Sequence, residues 1–341
     1  MTAPYDAFLV VSFGGPEGPA EVMPFLENVL RGRNVPKERM LEVAEHYQHF
    51  GGKSPINDQN RALLAAVEKE LAAAGIKLPV YFGNRNWHPL LPDTLRQMKQ
   101  DGVQRAVAFF TSAFNSYSGC RQYRENIAAA QEQVGEGAPQ VDKLRVFFNH
   151  PGFIEPMVEN TAAALSQIPE ERRTKTQLLF TAHSIPLSMA ATCKYELQLQ
   201  EASRLVAAGV GRGDWRLVYQ SRSGPPSQPW LEPDVGVALN EIAEAGGKDV
   251  VVVPIGFISD HMEVLFDLDK EAQNISQQLG LNMVRAATVG THPRFVRMIV
   301  ELVQERLGEN PVRLAVGNLG PSHDVCPVDC CAYSPKRPAI E

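Results

Sequence analysis

Short apolar runs alternate with amphipathic stretches along nearly the whole chain. The runs Ala7–Ser12, Leu78–Phe82, Arg105–Phe110 and Leu144–Phe148, then Gln177–Ala182, Trp215–Gln220, Val250–Pro254 and Asn282–Arg285, read as strands. Between them apolar residues recur at three- and four-residue spacing. Val22, Phe25, Leu26, Val29 and Leu30 form one such stripe and Leu64, Val67 and Leu71 another, which predicts helices with one buried face. Continuous apolar strands alternating with helices predict parallel sheets covered on both faces. Four such units fall in each half of the chain, too many for one small sheet. The expected architecture is α/β: two doubly wound, Rossmann-like lobes with parallel four-stranded sheets, over residues 1–155 and 156–316. An irregular Cys-containing segment, 317–341, follows them. A closed eight-stranded barrel is the alternative that the strand count also allows.

In open α/β sheets ligands bind at the carboxyl ends of the strands, so the loops leaving the strands are where chemistry is expected. They read Phe13-Gly14-Gly15-Pro16, Gly83-Asn84-Arg85, Thr111-Ser112, His183-Ser184, Ser221-Arg222-Ser223 and Gly256 to Asp260, rich in glycine and polar residues.

Composition then removes whole classes. The chain is 44% hydrophobic and 21% charged, which excludes a disordered or collagen-like protein. With 33 basic against 39 acidic residues there is no cationic excess to neutralise phosphates, so nucleic acid is not an expected partner. The apolar runs fall far short of the ~18 residues of a spanning helix, and no export signal is evident, so the expectation is a cytoplasmic protein without integral membrane association. Gly52-Lys53-Ser54 looks like the end of a phosphate loop, but Tyr47 stands where its first glycine belongs and Pro55 follows at once. Gly14-Gly15 lacks the dinucleotide spacing, and neither G-x-S-x-G nor H-E-x-x-H occurs.

Two features carry positive information. His183 directly follows a strand, where it either caps the strand end or faces a cleft as ligand or base. If Asp260 opens a helix, Glu263, Asp267 and Glu271 share one face at i, i+4 and i+8. Like charges at that spacing cost a helix ~0.2–0.5 kcal/mol per pair. A solvated acidic face is the ordinary reading of such a stripe; a divalent cation would compensate its repulsion. Three of the five cysteines, Cys326, Cys330 and Cys331, lie within six residues, and no disulfide framework is expected. A zinc site and a [2Fe–2S] cluster both fit, and each takes four thiolates in its common form.

Thr181-Ala182-His183-Ser184-Ile185-Pro186 and Pro254-Ile255-Gly256-Phe257-Ile258-Ser259-Asp260-His261-Met262-Glu263 resemble the two signature segments of ferrochelatases. Gly51 to Pro55, Ser116 to Tyr123, and Ser221 to Pro225 with Trp230 add to the likeness, which runs in order through essentially the whole chain. The branch it looks closest to is the bacterial one that metallates coproporphyrin III; protoporphyrin IX is the runner-up substrate. A non-catalytic tetrapyrrole or metal carrier is the competing reading from another class. The resemblance implies two lobes around a porphyrin cleft and Fe2+ as substrate metal. It makes His183 and Glu263 the metal-binding and catalytic pair, with Asp267 and Glu271 as an outer path. It places Ser54 and Tyr123 against the porphyrin carboxylates. Arg31 and Arg33 are further candidates for the propionates, and Phe257 for the ring face or the core. Phe13 departs from relatives with an iron-ligating tyrosine there, because phenylalanine offers no oxygen.

The likeness also implies a [2Fe–2S] cluster on Cys326, Cys330, Cys331 and an internal cysteine. Cys120 is the expected fourth ligand because it lies in the Ser116–Tyr123 motif, with Cys193 a spectator. Transient contact with neighbouring heme-pathway enzymes is a further expectation. The chemistry itself demands a base that accepts pyrrole protons, for which histidine is suited, and a carboxylate that strips a hydrated divalent ion of water.

Overall fold

The computed structural model describes residues 5–31, 35–308 and 312–333. Strands β1 (Ala7–Ser12), β2 (Val80–Asn84), β3 (Arg105–Phe110) and β4 (Gln140–Lys143) form one sheet in the order β2-β1-β3-β4. Strands β5 (Gln177–His183), β6 (Arg216–Gln220), β7 (Asp249–Val253) and β8 (Asn282–Arg285) form a second in the order β6-β5-β7-β8. Every pairing is parallel. The two orders are the same, so the halves repeat one doubly wound topology, and the barrel alternative is excluded. β1 and β7 are buried along their whole length, as sheets with helices on both faces require.

One expected strand is misplaced. The run Leu144–Phe148 lies outside the sheet; β4 is the more polar Gln140–Lys143 just before it. As an edge strand, β4 needs little apolar character. The apolar run continues off the sheet into the junction between the lobes, where Phe147 stacks on Phe109 and meets Phe153 and Phe295 edge-on. Its hydrophobicity reflects this packing between layers, which the strand pattern cannot distinguish from a sheet core.

The doubly wound order reverses direction between β1 and β3 in the first lobe and between β5 and β7 in the second. At each reversal the connecting segments diverge and leave a crevice at the strands' carboxyl ends. One contiguous apolar core joins the lobes: Phe8 and Phe109 belong to it from the first sheet, Phe180 and Val251 from the second. The last long helix, Pro293–Leu307, packs on both the Ile56–Ala73 and the Pro151–Ser166 helices and so ties the halves together.

A buried ion pair reinforces this junction. Arg145 grips Glu305 through Nε (2.8 Å) and Nη2 (2.9 Å) and also donates to the Leu314 carbonyl at 2.8 Å. The two side chains are 1% and 4% exposed. Removing one partner strands the other charge out of water, so Glu305→Ala should destabilise the protein by about 3–5 kcal/mol in urea unfolding. A loss below ~1 kcal/mol, the range of a surface pair, would show that water replaces the carboxylate.

Candidate active site between the lobes

His183 is the last residue of β5, and its ring Nδ1 is in close hydrogen-bond contact with the Ser184 carbonyl. That bond puts the Nδ1 proton on the backbone side and leaves Nε2 aimed at Glu263 Oε1, 3.5 Å away. The neighbouring loop is braced from two directions. Tyr195 donates to the His183 carbonyl (3.0 Å), and the Ser184 hydroxyl donates to Leu231 O (2.8 Å), just after the buried Trp230.

Glu263 arrives from β7. After the strand the chain turns tightly at Gly256, whose N–H donates to Thr181 O (3.0 Å); a Cβ there would lie 2.7 Å from Ala182 Cα, so only glycine lets the two loops come this close. The helix Met262–Phe266 then starts with His261 as its cap, Nδ1 accepting from the Glu263 N–H at 3.2 Å. Phe257 is buried in the second lobe's core cluster, edge-on to His261 at 4.8 Å, which answers its ring-face-or-core alternative in favour of the core.

The helix continues as π-helical turns over Asp267–Ala272. In an α-helix, residues four apart drift around the axis by about 40° per step. The wider π turns undo that drift and keep the acidic stripe in line, a device that recurs at functional sites. Asp267 is held by the Ser221 hydroxyl and by Gln220 Nε2 at 3.4 Å, and the same Gln220 nitrogen donates to Glu263 O at 3.0 Å. Ser221 adopts φ +60°, a strained conformation for a residue with a Cβ, stored at the end of β6 beside the stripe.

The electrostatics follow from these contacts. His183 and Glu263 are 31% and 48% exposed on the space between the lobes. Burial opposes ionisation of both, yet their mutual attraction is stronger. His183 is raised to about 9 by Glu263, with help from Ser184 and Asp267, and Glu263 is lowered to about 2. Asp267 is raised to about 7 by burial and by the charges of Glu263 and Glu271, against the hydrogen bond from Ser221. Glu271 is raised too, by burial and by Asp234. In this state the group that titrates near neutrality is Asp267, whereas His183 is held protonated by the carboxylate beside it.

The first lobe closes the site. Its helix Lys37–His49 reaches across, His46 stacking on Phe266 at 3.6 Å and the half-buried Tyr47 phenol raised by desolvation and the Glu263 charge. Ser54 is buried beneath the β1 exit loop, its N–H on Pro16 O (2.8 Å) and its hydroxyl accepting from Ile56 N (3.4 Å). Tyr123 is buried against Phe110, ring centroids 5.0 Å apart. The Arg85 guanidinium covers Tyr123 at 4.5 Å and approaches Phe13 at 5.7 Å. Arg85, Gln220, Ser221 and Tyr47 are given no role by the sequence reading, although three of them stand in strands' carboxyl-end segments. Arg31 is exposed, and Arg33 lies outside the described residues.

A second cluster forms where the tail returns to the first lobe. Cys120, in π-helical Tyr117–Arg121, has its thiol in hydrogen-bond contact with Cys326. Cys330 Sγ lies 3.7 Å from Cys331 Sγ and 3.7 Å from His323 Nε2. Two thiolates on one tetrahedral ion at ~2.3 Å sit about 3.8 Å apart, so this spacing fits a shared metal. His323, Cys326 and Cys330 place their ligand atoms within 4.8 Å of one another. The donor set therefore fits a thiolate-held iron–sulfur or zinc centre, with His323 as a donor that the sequence reading missed.

Two lobes with parallel sheets, meeting at a histidine–carboxylate pair with an acidic stripe beside it, have an architecture shared with a solved metal chelatase. The sirohydrochlorin chelatase SirB from Bacillus subtilis subspecies spizizenii, solved with cobalt, shares the fold at a TM-score of 0.53 and 13% identity, covering 89% of this chain and 96% of that one. The chain belongs to the ferrochelatase family, whose model matches residues 5–307. It is 63% identical over 338 residues to a ferrochelatase of Rhodopirellula baltica, covering 99% of this chain and 96% of that protein. It is 52% identical over 359 residues to the coproporphyrin III ferrochelatase of Streptomyces coelicolor, with the same coverage. The chain is thus a metal chelatase with Fe2+ as its substrate metal, and among the described residues no helix is long and apolar enough to cross a membrane.

Proposed function

We propose that the protein inserts Fe2+ into coproporphyrin III and that His183 and Glu263 form its metal and proton-transfer site. The observation that carries this is the 3.5 Å pair of Nε2 and Oε1 at the crevice of the second lobe, continued outward by Asp267 and Glu271. Insertion of one ferrous ion releases both pyrrole protons. Glu263 keeps His183 protonated while the site is empty of metal, so the imidazole is no base at rest. A cation on Glu263 cancels the charge that raises His183, which then gives up its proton and exposes Nε2 to the porphyrin core. Metal arrival and base activation are one event in this arrangement. Asp267, titrating near neutrality, relays the released protons outward to Glu271.

The substrate choice rests on charge. Coproporphyrin III carries four propionates where protoporphyrin IX carries two propionates and two vinyl groups, and each propionate can take a charge-assisted hydrogen bond. Arg85 stands at the carboxyl end of β2 between Phe13 and Tyr123, beside the loop that covers Ser54. In side-by-side steady-state metallation, kcat/KM for coproporphyrin III should exceed that for protoporphyrin IX at least tenfold, ~1.4 kcal/mol. An equal or higher value for protoporphyrin IX would overturn the choice, and a single turnover with either would make the protein a carrier.

The cysteine centre is read as a [2Fe–2S] cluster on Cys120, Cys326, Cys330 and Cys331, peripheral to catalysis and structural in role. When bound it would lock the tail onto the first lobe, which Arg121 already grips through Val328 O (3.0 Å) and Cys330 O (3.2 Å). Protein purified without reconstitution should be red-brown, with about two iron and two sulfide per chain. Colourless protein with stoichiometric zinc would refute this, and full cluster occupancy in Cys120→Ser would refute the fourth ligand.

A further inference from the structure

A buried lysine and a half-buried arginine stand behind the cysteines, and among the described residues no carboxylate pairs with either. Lys143, the last residue of β4, is 8% exposed, and among the described residues its ammonium has one hydrogen bond, a long one of 3.5 Å to the carbonyl of Leu144. Arg124, on the helix that follows Cys120, has a buried Nη1 with no hydrogen-bond partner among the described residues. Among the described residues neither forms an ion pair. Lysine and arginine are almost never buried unless paired, because desolvating an uncompensated charge is costly. The charges of both act on sulfur, that of Lys143 on Cys120, Cys326 and Cys330, and that of Arg124, one helical turn after Cys120, on Cys326.

The missing anion is supplied by the centre itself. Two ferric ions, two sulfides and four thiolates sum to a net double negative charge, and reduction by one electron adds a third. We propose that Lys143 and Arg124 are the counter-charges of the cysteine centre, positioning residues that hold its anionic core in the fold and set how readily it accepts an electron. The inference rests on the cluster reading above. Each cation favours the more negative, reduced form, so removing either should lower the reduction potential. A purely steric role would leave the potential where it is.

The test is an EPR-monitored redox titration of the full chain, purified anaerobically, with iron and sulfide counted in every sample. Lys143→Met and Arg124→Gln should each weaken reduction about tenfold, a downward shift of about 59 mV for one electron. Lys143→Arg, which keeps the charge, should stay within about twofold of wild type. Wild-type potentials in both charge-removing variants, at full iron and sulfide, would overturn the proposal. If Lys143→Met assembles no cluster, Lys143→Arg decides: restored occupancy supports compensation by charge, and loss in both shows that the site needs the shape of lysine instead. A colourless, zinc-loaded wild-type protein would overturn the cluster reading and this inference with it, whereas a coloured protein with unmoved potentials overturns the inference alone.

Discussion

His183→Ala should lower kcat for metallation by about 10²–10⁴-fold, the range for loss of a positioned general base, while porphyrin affinity stays close to that of wild type. Alanine removes Nε2, the atom that faces Glu263, and no nearby imidazole can replace it. His261 has its Nδ1 committed to the N–H of Glu263 as the helix cap, and its own pKa is lowered, chiefly by burial. The cost reaches beyond the missing base. Without the His183 charge, burial raises Glu263, so the carboxylate that should receive the cation becomes harder to ionise. Porphyrin binding should survive because the lobes' shared core and the β1 exit loop do not depend on this ring. Anaerobic steady-state assays with fluorescence titration of bound porphyrin separate the two effects. Retention of more than about a tenth of wild-type kcat, a barrier change below ~1.4 kcal/mol, would remove His183 from the chemistry.

Most of what positions this site is legible as pattern. The period of apolar runs finds strands at β1, β3, β5, β7 and β8, and the rule that ligands sit at strand carboxyl ends leads to His183 and Glu263 without knowledge of how the strands are ordered. The failures have one physical origin: sequence spacing carries no information about which layer buries an apolar run or what lies opposite a charge. Leu144–Phe148 is as apolar as a strand because it packs between lobes. The i, i+4 stripe from Glu263 to Glu271 is visible, but the π turns that keep it in line are not. A histidine suits neutral-pH proton transfer when considered alone; beside Glu263 it is held protonated instead, and burial moves that titration range to Asp267. Gln220, which ends β6, and Ser221, which opens the Ser221–Pro225 motif after it, fasten the stripe, a contact that neither the strand end nor the motif announces. The cations behind the cysteines are hidden for the same reason: Lys143 lies just before the expected strand Leu144–Phe148, and no spacing shows that it is buried.

Glu263→Gln should abolish most metallation and at the same time release His183 from its raised pKa. The amide keeps the shape of the side chain and the helix start, so a loss reports on charge. With the carboxylate gone, the two strongest influences raising His183, the charge of Glu263 and its hydrogen bond, disappear, and burial, which lowers an imidazole, is left opposed only by Ser184 and the more distant Asp267. The imidazole resonances should therefore titrate near pH 9 in the wild-type protein without substrates and at distinctly lower pH in the variant. The sign matters for activity. In wild type a proton competes with the metal at the pair below about pH 9, so apparent Fe2+ affinity should rise with pH up to that range. In Glu263→Gln the base is free at neutral pH, yet no carboxylate remains at the pair to hold the cation. If the variant instead metallates at the wild-type rate across a full Fe2+ titration, Glu263 is a solvated residue of an acidic helix face. If its rate is lost but His183 still titrates near 9, Asp267 rather than Glu263 sets the protonation of the base. Loss of rate together with a lowered histidine pKa is the outcome that coupling between metal arrival and base activation requires.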